Sequence, residues 1–183
     1  MTATEDALIH GRYAQVESTQ SYASHPAIEG VKLLDLPHFS DEGGDFCEIT
    51  RLNDAGVLES FPQFKPAQMS YSFMEPGAIK AWHLHHAQSD VWFVPASDRL
   101  LVGLVDVRGD SPSLDRRMRL TMGAGNARLL LIPPGVAHGS ANVSDRPASL
   151  IYLTDRRFDA SNPDEHRLPW DLLGKEFWTI RPG

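Results

Sequence analysis

Two segments of the chain together indicate its fold: Pro76–Asp90, PGAIKAWHLHHAQSD, and Ile132–Asn142, IPPGVAHGSAN. The first segment places His83 and His85 two residues apart in a run that is typical of a β-strand. Side chains at i and i+2 of a strand project from the same face, so both histidines can point at one spot. The second segment brings in His138 just after a Pro-Pro-Gly turn. The sequence therefore predicts three histidines around one pocket.

Short runs rich in β-branched and aromatic residues follow one another along most of the chain. Turn signals such as Glu75-Pro76-Gly77 and Gly109–Pro112 separate them. Short strands at this spacing indicate an all-β sandwich or barrel. The predicted strands are Val31–Leu36, Phe46–Leu52, Gln68–Met74, Ile79–His85, Val91–Val94, Leu100–Val107, Met118–Met122, Arg128–Ile132 and Ala148–Thr154.

The two ends of the chain differ from this pattern. Residues 1–27 are polar and have no clear period, so we expect an N-terminal arm, followed by a single domain over residues 28–183. The segment Asn162–Glu165 is predicted to cap a short helical turn, with Asp164 and Glu165 in solvent. Pro169-Trp170 ends any long helix there. The expected C-terminal element is therefore a short helical flap.

Composition limits the classes of function. A net charge of −7 without a Lys/Arg run argues against a nucleic-acid partner. Cys47 is the single cysteine, which excludes an intrachain disulfide and favours a reducing compartment. The sequence has neither a long apolar run nor the pattern of a signal peptide. We therefore expect no membrane association and a cytoplasmic location.

Two spaced patterns resemble the signatures of the cupin superfamily. The first is Gly77, five residues, His83-x-His85, four residues and Asp90; the second is Pro133–His138. The acidic position is usually glutamate in the superfamily, and aspartate stands there in this chain. The resemblance implies an all-β cupin double-stranded β-helix, that is, a jelly-roll barrel.

A set of ordered segments across residues 28–178 carries a more specific resemblance. They are Asp45–Glu48, Gln68–Ser72, Gly77–His83, Asp106–Ser113, Ile132–Gly139, Tyr152–Thr154 and Trp170-Asp171. In these segments the chain is similar to the dTDP-4-dehydrorhamnose 3,5-epimerase family, nucleotide-sugar epimerases built on a cupin barrel. The resemblance implies an epimerase or isomerase that acts on a 4-keto sugar, or a related carbonyl compound, by removing a proton next to the ketone. It also implies no cofactor and a homodimer.

The resemblance also implies roles for individual residues. His83 matches the base, Tyr152 matches the general acid on the opposite face, and Asp171 matches the carboxylate that orients the histidine. Lys80 or His138 is the candidate for stabilising the enolate. Histidine suits this task because a base tuned near neutral pH can remove a weakly acidic proton. The alternative for Tyr152 is a tyrosine that only packs on the barrel.

Further side chains are candidates for binding substrate. They are Gln68, Ser70 and Ser72 on one strand face, Phe46 and Glu48 toward a neighbouring subunit, Trp82 as an aromatic wall, and Arg156 as an anion contact. Sugar hydroxyls suit the first group. Core packing is the alternative for Trp82, and a surface ion pair is the alternative for Arg156.

The chain departs from the family at basic positions. Gly43 and Lys80 stand where the family has arginines, and Asp90 stands where it has a lysine. Residues 156–158 replace a second tyrosine of the family. A lysine lacks the bidentate fork of arginine. The groups that hold a diphosphate are therefore weakened, which leaves recognition of a nucleotide open.

A metal centre is the alternative reading of the histidines. The family normally has glutamine where this chain has His85. His83, His85 and His138, with Asp90 or else Gln88, form an N,N,N,O set that suits Zn²⁺, Fe²⁺, Ni²⁺ or Mn²⁺. The second hypothesis is therefore a metal-dependent cupin oxygenase, lyase or isomerase acting on a small oxygenated substrate. A non-catalytic sugar-binding cupin is the third.

Overall fold

The computed structural model describes residues 10–18 and 27–181. These residues form two five-stranded sheets, a two-stranded hairpin and two short helical segments. The strands are β1 (Lys32–Asp35), β2 (His38–Asp41), β3 (Gly44–Cys47), β4 (Gln68–Met74), β5 (Ile79–Leu84), β6 (Asp90–Phe93), β7 (Arg99–Asp106), β8 (Arg117–Gly123), β9 (Arg128–Ile132), β10 (Val136–Ala141), β11 (Ala148–Thr154) and β12 (His166–Arg167). The helical segments are α1 (Gly11–Ala14) and a 3-10 helix at Lys175–Trp178.

The two large sheets face each other as a jelly-roll barrel. The first sheet has the strand order β1-β9-β6-β11-β4, and the second has the order β12-β5-β10-β7-β8. The strand pairings within both sheets are antiparallel. One buried cluster contains Trp92 and Leu130 from the first sheet and Val102 and Leu104 from the second. The prediction of an all-β cupin barrel is confirmed.

The C-terminal flap covers the outer face of the second sheet. Phe177 and Trp178, in the 3-10 helix, pack on Trp82 with ring centroids 5.3 and 4.8 Å away. A Cβ at Gly103 would lie 2.5 Å from the Phe177 ring and 2.8 Å from the Trp178 ring, so only glycine fits beneath them. Leu101, on the same side of β7, joins this cluster. The flap was predicted, but the proposed role of Trp82 as an aromatic wall is wrong, because its side chain is fully buried under the flap.

A bulge in β5 sets which of its side chains face the barrel interior. His138 pairs with His83, whereas Ser140 pairs with Lys80, so β5 has one residue more than β10 between these pairs. An extra residue of this kind shifts the alternation of side chains. Lys80 and His83 therefore line the same cavity although they are three residues apart.

Other differences from the predicted elements lie near the N-terminus. The strand predicted over Phe46–Leu52 ends at Cys47, and Leu52 forms only an isolated bridge with Leu58. Of the predicted arm, residues 1–9 and 19–26 lie outside the described residues. Within residues 10–18 and 27–181, no helix is long and apolar enough to cross a membrane.

Asp106 anchors the end of β7 through a buried ion pair. Its carboxylate, which is fully buried, accepts hydrogen bonds from Nε and Nη2 of Arg108, both at 2.8 Å. Ser111 Oγ and Ser113 Oγ donate to the same carboxylate at 2.5 and 2.6 Å. The hydrogen bonds from Arg108 and the two serines hold the pKa of Asp106 well below its usual value, against the effect of burial. The segment Asp106–Ser113, one of those that resemble the epimerase family, therefore has a structural role.

We expect Asp106→Asn to lower the free energy of unfolding by about 3–5 kcal/mol at neutral pH, because Arg108 would lose its buried partner. Asp35→Asn is the matched control: Asp35 pairs with Arg128 at 2.6 Å, but its side chain is 79% exposed, so the loss should stay below about 1 kcal/mol. The native pKa of Asp106 is depressed, so its contribution is present at neutral pH and is lost as the pH falls through that pKa. Urea denaturation at several pH values measures the free energy of unfolding of the wild-type protein and of both variants. Equal losses in the two variants would contradict it.

Candidate active site

A cavity of about 300 Å³ opens between the two sheets and contains all three predicted histidines. Its wall from the first sheet is formed by Gln68, Ser72, Asp90, Trp92, Leu150, Tyr152 and Thr154. Its wall from the second sheet and the adjoining loops is formed by Lys80, His83, His85, Gln88, His138, Ser140, Phe158, Glu165 and Arg167. A larger groove of about 850 Å³ elsewhere on the surface contains neither histidine nor tyrosine.

His83 forms a close pair with Glu165. Its Nδ1 lies 2.7 Å from Oε1 of Glu165, and both side chains are partly buried. Glu165 immediately precedes β12. In that strand Arg167 pairs with His83, and the guanidinium of Arg167 lies 2.9 Å from the Glu165 carboxylate. A carboxylate that accepts the Nδ1 proton fixes the tautomer and leaves the Nε2 lone pair free. His83 is therefore oriented to act as a base in the cavity.

The carboxylate of Glu165 is ionised at neutral pH. Partial burial raises the pKa of Glu165, but the hydrogen bond from His83 and the electrostatic attraction of His83 and Arg167 outweigh it, so that this pKa lies below its usual value. An ionised carboxylate on Nδ1 stabilises the imidazolium that forms when His83 takes up a proton.

The structure places Glu165, not Asp171, beside His83. Asp171 is exposed and does not line the cavity. The predicted solvated helix start at Asp164 and Glu165 is also wrong. The Asp164 carboxylate accepts backbone hydrogen bonds from His86, at 2.7 Å, and from the next two residues of the β5–β6 loop. This contact holds the segment extended, so that it continues into β12 and directs Glu165 inward.

Tyr152 lies on the opposite wall from His83. It is half-buried on β11, between β6 and β4 of the first sheet, where it pairs with Trp92 and Ser70. His83 belongs to the second sheet, and both side chains line the cavity. A bound ring would therefore have a basic group on one face and a phenol on the other.

The side chains predicted to bind sugar hydroxyls lie in part at the cavity. Ser72 lines it and accepts a hydrogen bond of 2.7 Å from Lys80 Nζ. Gln68 also lines it, donating to Ser70 Oγ at 3.1 Å and accepting from the backbone of Phe158 at 3.0 Å. Ser70 itself is not part of the cavity wall. Lys80 is the cationic group beside Ser72.

Three other predicted contacts do not reach this cavity within the described chain. Phe46 is 66% exposed on β3, and Glu48 pairs with Arg51 at 2.9 Å. Arg156 is exposed in a neighbouring groove, where its Nε donates to the carbonyl of Ala87 at 3.0 Å. The proposed substrate contact by Arg156 is therefore not supported. Several cavity residues were not predicted as site residues from the sequence, among them Thr154, Phe158, Glu165 and Arg167.

The deepest part of the cavity contains His85, Asp90 and His138, which are nearly fully buried. His85 Nε2 lies 3.9 Å from Asp90 Oδ1, and His138 Nε2 lies 3.7 Å from Asp90 Oδ2. Burial lowers the pKa of His138 to about 4, so it is neutral at pH 7. Its Nδ1 proton is donated to the carbonyl of Val136 at 2.9 Å, which leaves no proton on Nε2. His138 therefore does not suit the predicted role of oxyanion donor, and Lys80 remains for it.

The barrel and its two-walled cavity define an acid–base enzyme of the jelly-roll class. The family description "dTDP-4-dehydrorhamnose 3,5-epimerase" matches residues 25–172, and the chain belongs to this family. It is 42% identical over 144 residues to the spore coat polysaccharide biosynthesis protein SpsL of Bacillus subtilis, covering 79% of this chain and 91% of that protein.

Solved structures agree with this assignment. The dTDP sugar isomerase of Desulfovibrio desulfuricans G20 is 32% identical with a TM-score of 0.68, covering 80% of this chain and 88% of the other. The dTDP-4-dehydrorhamnose 3,5-epimerase of Bacillus anthracis, solved with TDP and PPi bound, is 26% identical with a TM-score of 0.66, covering 84% and 87%. The prediction of a carbohydrate epimerase is confirmed.

Proposed function

We propose that this enzyme epimerises a nucleotide-linked 4-keto sugar, with His83 as the base and Tyr152 as the acid. The observation that carries the proposal is the His83–Glu165 pair on one wall of a cavity whose opposite wall presents Tyr152. Family membership favours this reaction over a metal-dependent oxygenase or lyase and over a sugar-binding protein without activity.

Removal of the proton is the step assigned to His83. Its Nε2 takes a proton from the carbon next to the ketone, and the electron pair of that C–H bond moves to the carbonyl oxygen, which gives an enolate. Glu165 stabilises the imidazolium that results. Lys80 Nζ, 2.7 Å from Ser72 Oγ at the cavity wall, supplies positive charge for the enolate oxygen.

Inversion follows when the proton returns from the other wall. The Tyr152 hydroxyl donates a proton to the opposite face of the enolate, the ketone re-forms, and water returns Tyr152 and His83 to their starting protonation states. The product is an isomer of the substrate, so the reaction needs no oxidant, reductant or organic cofactor.

The proposed substrate carries a nucleoside diphosphate, and the enzyme binds this group together with the sugar. The B. anthracis structure holds TDP, which supports this choice by similarity. In this chain the cations at the cavity wall are Lys80 and Arg167, and Gly43 and Asp90 replace basic residues of the family. Gln68 and Ser72 are the proposed contacts to sugar hydroxyls. The homodimer, the contribution of Phe46 and Glu48 to a partner's site, and the cytoplasmic location remain predictions.

The test follows a dTDP-linked 4-keto-6-deoxy sugar in D₂O by NMR. We expect the wild-type protein to incorporate deuterium next to the ketone and to invert that centre. Tyr152→Phe should lower the rate of inversion about 10²-fold, while exchange on the His83 face continues.

Tyr71→Phe is the matched control, because Tyr71 is 64% exposed and does not line the cavity. It should leave both rates unchanged. Wild-type protein that neither exchanges nor inverts any such sugar would overturn the proposed function. Inversion at the wild-type rate in Tyr152→Phe would remove Tyr152 from the mechanism.

A further inference from the structure

We propose that His85, Asp90 and His138 form a binding site for one divalent transition-metal ion, of the class of Zn²⁺, Fe²⁺, Ni²⁺ or Mn²⁺, beside the His83–Glu165 pair. This set is smaller than the four-ligand set expected from the sequence. His83 is not part of the set, because among the described residues of this cavity the ligand atoms that lie within 4.8 Å of one another belong to His85, Asp90 and His138 only. The base and the metal ligands are therefore separate groups in one cavity.

The donor atoms lie close enough to share one ion. One ligand atom from each of the three residues lies within 4.8 Å of the others. His85 Nε2 lies 3.9 Å from Asp90 Oδ1, and His138 Nε2 lies 3.7 Å from Oδ2 of the same carboxylate. Bonds of about 2.0–2.2 Å allow two donors to one ion to lie up to about 4.4 Å apart. Two imidazole nitrogens and one carboxylate oxygen suit first-row transition metals better than Ca²⁺ or Mg²⁺, which prefer oxygen ligands.

Both histidines are already held as metal ligands usually are. His138 donates its Nδ1 proton to the carbonyl of Val136 at 2.9 Å. His85 Nδ1 makes a short hydrogen bond to the carbonyl of Asp164. In each ring Nδ1 therefore carries a proton, and Nε2 is the ring nitrogen that faces Asp90. Ligating histidines commonly donate their other ring proton to a backbone carbonyl in this way.

Asp90 has the supports of a ligating carboxylate. Gln88 Nε2 donates to its Oδ1 at 2.8 Å, and Trp92 Nε1 donates to its Oδ2 at 3.1 Å. These bonds fix the carboxylate toward the two histidines. Carboxylate ligands of metals are commonly held by hydrogen bonds of this kind.

The charge balance around Asp90 also favours a cation. Its side chain is only 4% exposed, and within residues 10–18 and 27–181 no lysine or arginine lies at ion-pair distance from it. A buried carboxylate without a compensating charge is costly. A bound divalent cation would supply that charge.

A second group of possible ligands provides a contrast. His86, Asp164 and His166 also lie close together, but both histidines are exposed. The Asp164 carboxylate already accepts three backbone hydrogen bonds. This group therefore serves as the control site.

The role of the ion, unlike its binding, rests on the proposed function. When bound, the ion supplies a Lewis acid to the cavity. It would provide positive charge at the position where Asp90 replaces a lysine of the family.

The test measures binding first. Tag-free protein is stripped with EDTA, dialysed, and titrated with ZnCl₂ by calorimetry, with elemental mass spectrometry for stoichiometry. We expect one equivalent of Zn²⁺ per chain. His85→Gln and Asp90→Asn should bind it at least about 100-fold more weakly, whereas His83→Asn and His166→Ala should bind it unchanged. Failure to bind one equivalent, or loss of binding in His166→Ala alone, would overturn the site.

A measurement on the unaltered sequence covers the case in which the buried variants do not fold. In ¹⁵N NMR, Zn²⁺ should shift Nε2 of two histidines whose Nδ1 atoms keep their protons. Shifts confined to His86 and His166 would overturn the site.

The failure of this site and the failure of the proposed function are distinguishable. Deuterium exchange by protein that binds no Zn²⁺ would overturn the metal site and leave the epimerase. Stoichiometric Zn²⁺ at His85 and His138, without exchange in stripped or loaded protein, would support the site and overturn the proposed reaction.

Discussion

His83→Asn is expected to lower both deuterium exchange and epimerisation about 10⁴-fold, the upper end of what a general base contributes. The asparagine side chain keeps a polar group near Glu165 but has no basic nitrogen at the position of Nε2. Exchange and inversion should fall together, because removal of the proton precedes both. In Tyr152→Phe, by contrast, inversion should fall while exchange continues. The two variants therefore separate the first proton transfer from the second.

The measurement is exchange by NMR on a dTDP-linked 4-keto-6-deoxy sugar, with His86→Asn as the matched control. His86 is exposed, and its ring stacks on His166 with centroids 4.1 Å apart, outside the cavity wall. Its replacement should leave the rate within about a factor of two, as expected for a surface side chain outside the site. If His83→Asn exchanged deuterium at more than a tenth of the wild-type rate, His83 would not be the base. His138, which also has a free Nε2 lone pair, would then be the next candidate.

The parts of the fold that depend on local pattern could be predicted from the sequence. Two strands were predicted with the bounds that the structure shows: the alternating segment Gln68–Met74 and the apolar segment Arg128–Ile132. The i, i+2 spacing of His83 and His85 placed both in one cavity. The same alternation puts Trp82 on the other face from His83, so its burial under the flap was accessible to sequence reasoning. Core packing was the alternative interpretation of Trp82, and the structure confirms it.

The parts that depend on distant contacts could not be predicted. Glu165 lies in a polar segment without a hydrophobic period, and it reaches His83 only because β12 pairs with β5. Asp164 fixes that arrangement by binding a loop 76–78 residues earlier in the chain. The side chain of Lys80 shares the cavity because of a bulge that residue types alone do not reveal. Such contacts join segments that are far apart in the chain, and no local pattern in either segment indicates the contact.

Glu165→Gln is expected to lower kcat about 10³-fold with little change in KM. Glutamine has nearly the same shape, but it carries no charge to stabilise the imidazolium of His83. Its amide can also present an N–H to Nδ1 of His83, which would favour the wrong tautomer. A role limited to folding would instead lower the melting temperature without this selective effect on kcat. Glu165→Asp should restore part of the rate, since it returns the charge at a greater distance.

The pH dependence of this variant follows from the lowered pKa of Glu165. The carboxylate is charged at neutral pH, so the ratio of wild-type to Glu165→Gln rates should be constant there. The ratio should fall toward one as the pH falls through that lowered pKa, because Glu165 is then protonated and the wild-type side chain is uncharged like the glutamine. Asp171→Asn is the control, since Asp171 is exposed outside the cavity. A loss in Asp171→Asn as large as that in Glu165→Gln would return the orienting role to Asp171.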